Sequence, residues 1–313
     1  MWRFVVRRLL QAIPVFFGTT LLIYAMVFAL PGDPIQALAG DKPIPENVLQ
    51  TLRDRYNLND PLLVQYAKYM WGLLHGDLGE NYTGQSVAEM LSGRWAVTAQ
   101  LAVTAWIFEL VVGIALGVWA GLRRGRLADT LVLGGTTLVI AVPVFVLGYV
   151  AQIVFGLHWQ IFPTAGTDEG WPMSYLLPGI VLGSLGLSYV ARLTRTSLAE
   201  NLRADYVRTA RAKGLSKARV IGRHTLRNSL IPVVTYLGVD FGNLMGGAIV
   251  TEGIFNLPGV GQQVFQSIQL KEGPVVVGAV TVLVLIFLLV NLVVDLLYGI
   301  LDPRIRYDQG VRP

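Results

Sequence analysis

Long uncharged blocks, separated by shorter charged segments, organise this chain. Arg8 and Asp33 enclose a block with no charge, which predicts a membrane-crossing helix over residues 9–30, because about 20 apolar residues span a hydrocarbon core about 30 Å thick. From Trp95 to Leu122 the only charge is Glu109, giving a second span over 98–121. The 38 uncharged residues from Thr130 to Thr167 give a third, over 130–156. Three further blocks place spans over 175–197, 231–252 and 275–297. The prediction is an all-α membrane protein of six transmembrane helices. Arg3, Arg7 and Arg8 ahead of the first block also resemble the start of a signal peptide, with Ala37-Leu38-Ala39 as a cleavage-like site. The apolar run is long for such a segment and ends well before Ala39, so retention as a helix is expected.

Between the blocks the pattern changes period. Within residues 31–96, Ile44, Val48, Leu52 and Tyr56 recur every four positions, as do Leu62, Tyr66 and Met70. Each set marks an amphipathic helix, and Pro61 suits a helix start. No strand pattern accompanies them, so a helical cap outside the bilayer is expected. Residues 254–274, containing FNLPGVGQQ, predict a turn and a short helix. Residues 199–230 form the other long polar segment. Asp205 to Pro232 carries eight basic residues, His224 included, against one acid. Gly214 suits the left-handed end of one helix and Ser216 the cap of the next. Arg219, Arg223 and Arg227 then share a face.

Composition supports the membrane reading. Of 313 residues, 53% are hydrophobic and 14% charged, with a mean hydropathy of +0.55, whereas a soluble domain carries about a quarter charged residues. Charge distribution sets the orientation. Nineteen of 25 lysines and arginines fall at the amino terminus, between the second and third spans, in and just before residues 199–230, and in the tail. By the positive-inside rule both termini are cytoplasmic. The basic loop is a poor nucleic-acid surface, since spans tether it at both ends and no aromatic residues interleave its charges. Attraction to anionic lipid is one reading of it. Lipid alone leaves the small-residue run Arg208-Thr209-Ala210-Arg211-Ala212-Lys213-Gly214-Leu215 unexplained. Such a narrow surface fits a helix seated in another protein's groove.

Candidate chemistry is sparse. There is no cysteine, the three histidines are far apart, and no metal-ligand or nucleophile constellation forms. No G-x-x-x-x-G-K-[ST] occurs, so this chain has no phosphate cradle of that kind for ATP. Ionisable groups inside spans are costly and point to function. Glu109, Asp240 and Glu252, with Asn243, are therefore the candidate pathway residues, each alternatively neutral or satisfied by a neighbouring helix. Asp295 suits pairing with a basic residue near the membrane surface. Gly113, Gly117 and Gly121, and likewise Gly238, Gly242 and Gly246, recur every four residues and suit close helix packing.

YVRTARAKGL followed by HTLRNSLIPVV resembles the coupling motif of ATP-binding-cassette (ABC) importer permeases, in the form of the peptide and nickel branch. Against the general pattern E-A-A, three residues, G, nine residues, I-x-L-P, only Ala210, Gly214 and Leu226 match. FALPGDP (28–34), LLHGDLG (73–79), LPGIVLG (177–183), PGVGQ (258–262) and LDPRIRY (301–307) are similar to that branch in matching order. Ala96 and Gln100 stand where members often carry Pro and Glu. The resemblance implies a type I ABC importer permease fold in a bacterial or archaeal cytoplasmic (inner) membrane. It implies a second homologous permease, two ATPase subunits that bind ATP and magnesium, and an external binding protein that delivers a di- or oligopeptide. Residues Arg208 to Leu215 would couple the ATPases to the spans. Nickel or another small solute is the alternative cargo, and an ATPase-independent secondary transporter, which would be expected to show repeated halves, is the alternative class.

Overall fold

A computed structural model describes residues 2–29, 35 and 45–301, with side chains for 5–29, 35 and 45–296. Ile44, Lys42, most of FALPGDP and LDPRIRY, and the tail arginines lie outside the described residues. Among those described, every regular element is helical except one isolated bridge between Glu80 and Ser86. The α-helices are α1 (Trp2–Phe28), α2 (Glu46–Arg55), α3 (Leu62–Leu74), α4 (Val87–Leu91), α5 (Arg94–Phe108), α6 (Ile114–Leu122) and α7 (Leu127–Ala141). They continue as α8 (Val144–Ala151), α9 (Met173–Leu182), α10 (Ser184–Asn201), α11 (Asp205–Ala212), α12 (Ile231–Ile254), α13 (Val260–Gln269) and α14 (Gly273–Leu301). Two further three-residue turns flank residue 220–226. Wider π-helical stretches occupy Glu109–Gly113, Gln152–His158 and Val220–Leu226.

Among the described residues, four helices are individually long and apolar enough to cross a membrane: Val5–Phe28, Val87–Leu122, Ile231–Ile254 and Gly273–Leu296. Two bent pairs reach that length only together, Leu127–Ala141 with Val144–His158 at 102°, and Met173–Leu182 with Ser184–Asn201 at 61°. The first bend sits at Pro143, which holds the N-cap position of α8 while Val142 is extended. Proline disfavours helical backbone in the residue before it, so α7 stops there. The second bend is at Gly183, between α9 and α10.

The chain divides into two compact units, residues 1–98 with 256–313, and residues 99–255. In the first unit α1 packs along α14. Gly273 makes this possible on α14, where a Cβ would lie 2.7 Å from Val27 Cγ1, and Gly278 admits α4 in the same way, with a Cβ 2.8 Å from Val87 Cγ1. Arg8 and Asp295 join the same two helices by an ion pair at 3.0 Å. The polar segment before α5 is tied down by its aromatic residues. Tyr66 of α3 lies 2.8 Å from the Thr20 hydroxyl on α1, and the Tyr69 hydroxyl donates to Thr281 at 3.0 Å. Leu9, Leu10, Ile13, Phe17, Leu22 and Met26 leave most of α1 apolar and exposed, as a helix facing lipid or another subunit would be.

In the second unit α10 is central. Gly113, at the end of a π-helical stretch, and Gly117 and Gly121 of α6 bring that continuous segment onto it. A Cβ at these positions would stand 2.7 Å from Val190 Cγ1, 2.5 Å from Thr194 Cβ and 3.1 Å from the Arg195 carbonyl. Ala120, Val132 and Ala191 close the apolar contact with α7.

Candidate functional site

Asp240 and Glu252 occupy two levels of α12, and Glu109 stands beside the first. Asp240 is buried, at 8% exposure, and its Oδ1 accepts from the Tyr236 hydroxyl at 3.2 Å and from Asn243 Nδ2 at 3.4 Å. Glu109, on the first residue of a π-helical stretch, is fully buried and lies beside Asp240. Trp106 sets that approach: its ring nitrogen donates to the Leu237 carbonyl at 2.8 Å, and its ring meets Phe241 edge-on. The structure therefore brings together Glu109, Asp240 and Asn243. Glu252 is not with them. Twelve residues beyond Asp240, it sits about 18 Å farther along the helix, fully buried and near Tyr175 of α9.

Of the six spaced glycines, Gly113, Gly117 and Gly121 are filled by α10. On α12, Gly242 is buried, Gly238 half-buried and Gly246 exposed, with nothing within 4 Å of a Cβ built at Gly246. Among the described residues, that face of α12 is therefore open at Gly246 and covered at Gly242.

The basic loop has its own small core. Val207, Ala210 and Val220 pack together with Leu215 against them. Gly214 adopts φ +76° and reverses the chain after α11. Ala210 consequently points inward, at 7% exposure, while Arg208, Thr209, Arg211, Ala212, Lys213 and Gly214 form the outer surface and Leu215 is half-buried. Ser216 stands at an N-cap position without a side-chain cap bond. Beyond it the chain is π-helical from Val220 to Leu226, and Arg219, Arg223 and Arg227 are all exposed.

Two polar clusters escaped the sequence reading. Arg195 holds Asp129 through paired hydrogen bonds of 2.8 and 2.7 Å, and the Gly125 amide also donates to Asp129 at 2.8 Å. Arg192 donates to Thr136 at 2.9 Å and to Thr137 at 2.6 Å. Both fasten α10 to α7 beside the basic loop. The one signal for the first was an arginine near a span's end and an acid at the start of another; the second had none. In the first unit, Tyr24, Arg55, Tyr56, Lys68, Tyr69 and Glu80 line a cavity of about 260 Å³. Burial pushes the Tyr69 hydroxyl up to about 12, so it stays a neutral donor to Thr281.

Comparison with known proteins decides the family. Residues 113–307 match the family described as binding-protein-dependent transport system inner membrane component, and residues 1–104 match its N-terminal companion. The chain belongs to this family. It is accordingly a multi-pass transport subunit of the cytoplasmic membrane. Its relatives include the dipeptide transport system permease protein DppB of Escherichia coli (strain K12), 39% identical over 99% of this chain and 100% of that protein. A protein of the same description from Alkalihalophilus pseudofirmus is 36% identical over 98% of this chain and all of its own length. The glutathione transport system permease protein GsiC of Salmonella paratyphi A is 38% identical over 98% of this chain and 100% of that protein.

Proposed function

We propose that this chain is the peptide-translocating permease subunit of an ATP-driven importer. The observation that carries this is identity of 36–39% over 98–99% of the chain to permeases named for dipeptides and glutathione. The glutathione relative favours short peptides as a class over dipeptides alone. In this reading each bent pair is one span, giving six, with both termini in the cytoplasm and α2 to α4 outside. A second permease completes the pathway, two ATPases hydrolyse ATP with magnesium, and an external binding protein delivers the peptide. The outer surface of the basic loop, Arg208, Thr209, Arg211, Ala212, Lys213 and Gly214, meets an ATPase, with Ala210 and Leu215 holding that surface in shape. Glu109, Asp240, Asn243 and Glu252 border the pathway or brace its walls.

The test is co-purification with a carboxyl-terminal tag in mild detergent, then uptake of a labelled dipeptide by proteoliposomes made from the recovered complex. The expected result is a stoichiometric second permease with one or two ATPases, and uptake that needs both ATP and the binding protein. A chain recovered alone, from a preparation shown to keep such complexes intact, would remove the importer reading.

A further inference from the structure

The least comfortable group in the membrane interior is the Glu109 carboxyl. It is fully buried, and neither of its oxygens has a hydrogen-bond partner at normal geometry. The fold nevertheless makes room for it. A Cβ at Gly186 would lie 2.2 Å from Glu109 Oε1 and 2.6 Å from Oε2, and one at Gly183 would lie 3.2 Å from its Cγ. Two glycines on a different stretch of chain are thus needed to house one acid, and Glu109 itself opens a π-helical stretch, a distortion frequent at functional positions.

The groups facing Glu109 can be named element by element. From α12 come Asp240 and Tyr236; from α10 comes Tyr189, whose ring packs against Tyr236 with centroids 5.9 Å apart; the α9–α10 bend contributes glycine. None of the ion pairs among the described residues includes Glu109 or Asp240. Two adjacent carboxylates in a dry interior repel and leave both charges uncompensated. The pair therefore needs one positive charge between its members. No group of three or more metal-ligating side chains gathers among the described residues, so the charge that suits the pair is a proton.

We propose that Glu109 and Asp240 form a proton-binding site, in which Glu109 carries the proton and donates it to Asp240. The donors already present settle which partner holds it. Asp240 Oδ1 already accepts from Tyr236 and Asn243, whereas Glu109 receives nothing and gains its one hydrogen bond by donating. The proton fastens α12 to the π-turn. A shift of α12 that withdrew Asp240 would leave a buried donor without an acceptor, so the pair resists that shift. None of this depends on what the chain transports.

Infrared difference spectroscopy on the full-length chain in lipid nanodiscs, near neutral pH, tests it without reference to transport. Glu252 is the other fully buried glutamate, so glutamate labelled with ¹³C at the side-chain carboxyl is introduced into unmodified, Glu252→Gln and Glu109→Gln chains. The site predicts a protonated-acid carbonyl band that shifts in D₂O and with the label, survives in E252Q and is lost in E109Q. Asp240→Asn should shift that band rather than remove it, because the acceptor changes. Absence of the band in E252Q, its persistence in E109Q, its indifference to D240N, or its loss on adding sodium would each overturn the proposal. If E109Q fails to assemble, the labelled E252Q and D240N spectra still decide.

Discussion

At the scale of single residues, the two glycine series make opposite predictions. Gly117→Ala would set a methyl 2.5 Å from Thr194 Cβ and 2.6 Å from the Ala191 carbonyl. The carbonyl is backbone and cannot swing aside, so overpacking should cost about 1–3 kcal/mol. A Cβ at Gly246 meets nothing within 4 Å, and in an open helix position alanine is favoured over glycine by about 0.5–1 kcal/mol. Thermal unfolding of the purified chain in detergent should therefore show a clear fall in Tm for G117A and none for G246A. Equal effects would mean that α12 is covered within this chain. The four-residue spacing of both series was legible from the sequence. Which series is already filled was not, because that depends on which helix lies opposite. Glu109 illustrates the same limit: its cost in a span was legible, while Gly183 and Gly186, which house it, lie more than 70 residues farther on.

At the scale of elements, the basic loop shows why a motif and a surface differ. Its division at Gly214 could be read from the residue type, since φ +76° is open to glycine. The inward turn of Ala210 could not, because alanine suits a narrow outer face and a small core equally well. This changes the useful experiment. Ala210→Asp would place an unpaired carboxylate among Val207, Val220 and Leu215 and disturb the loop itself. Ala212 is exposed, so Ala212→Trp leaves that core alone and obstructs only a partner. It should preserve insertion and helical content while weakening ATPase capture by tenfold or more, about 1.4 kcal/mol, as read by ATPase recovered with the tagged chain. Full recovery would place the ATPase contact elsewhere. The bends were hidden for a related reason. An uncharged run reports how much chain is apolar but not its direction, and Pro143 alone marks where the third block turns by 102°.

At the scale of the whole molecule, the remaining choice is whether each bent pair crosses the membrane or turns back within it. The charge pattern favours crossing, since Arg123, Arg124 and Arg126 and the basic loop flank these pairs while Asp168 and Glu169 lie between them. The two alternatives share every other compartment. With either, residues before α5 are outside and the basic loop is inside, because the two pairs together return the chain to the side it left. Only the connection between α8 and α9 differs: six spans put it outside, four spans with two re-entrant pairs keep it in the cytoplasm. The chain contains no cysteine, so single exposed positions can be tagged without background. Gln85→Cys should react in intact cells with a membrane-impermeant maleimide, and Lys217→Cys only after permeabilisation. Glu169→Cys, exposed between the pairs, should behave like Gln85→Cys. Protection of Glu169→Cys in intact cells would leave four spans. Labelling of Lys217→Cys from outside would invert the molecule and place the basic loop beyond the reach of any cytoplasmic ATPase.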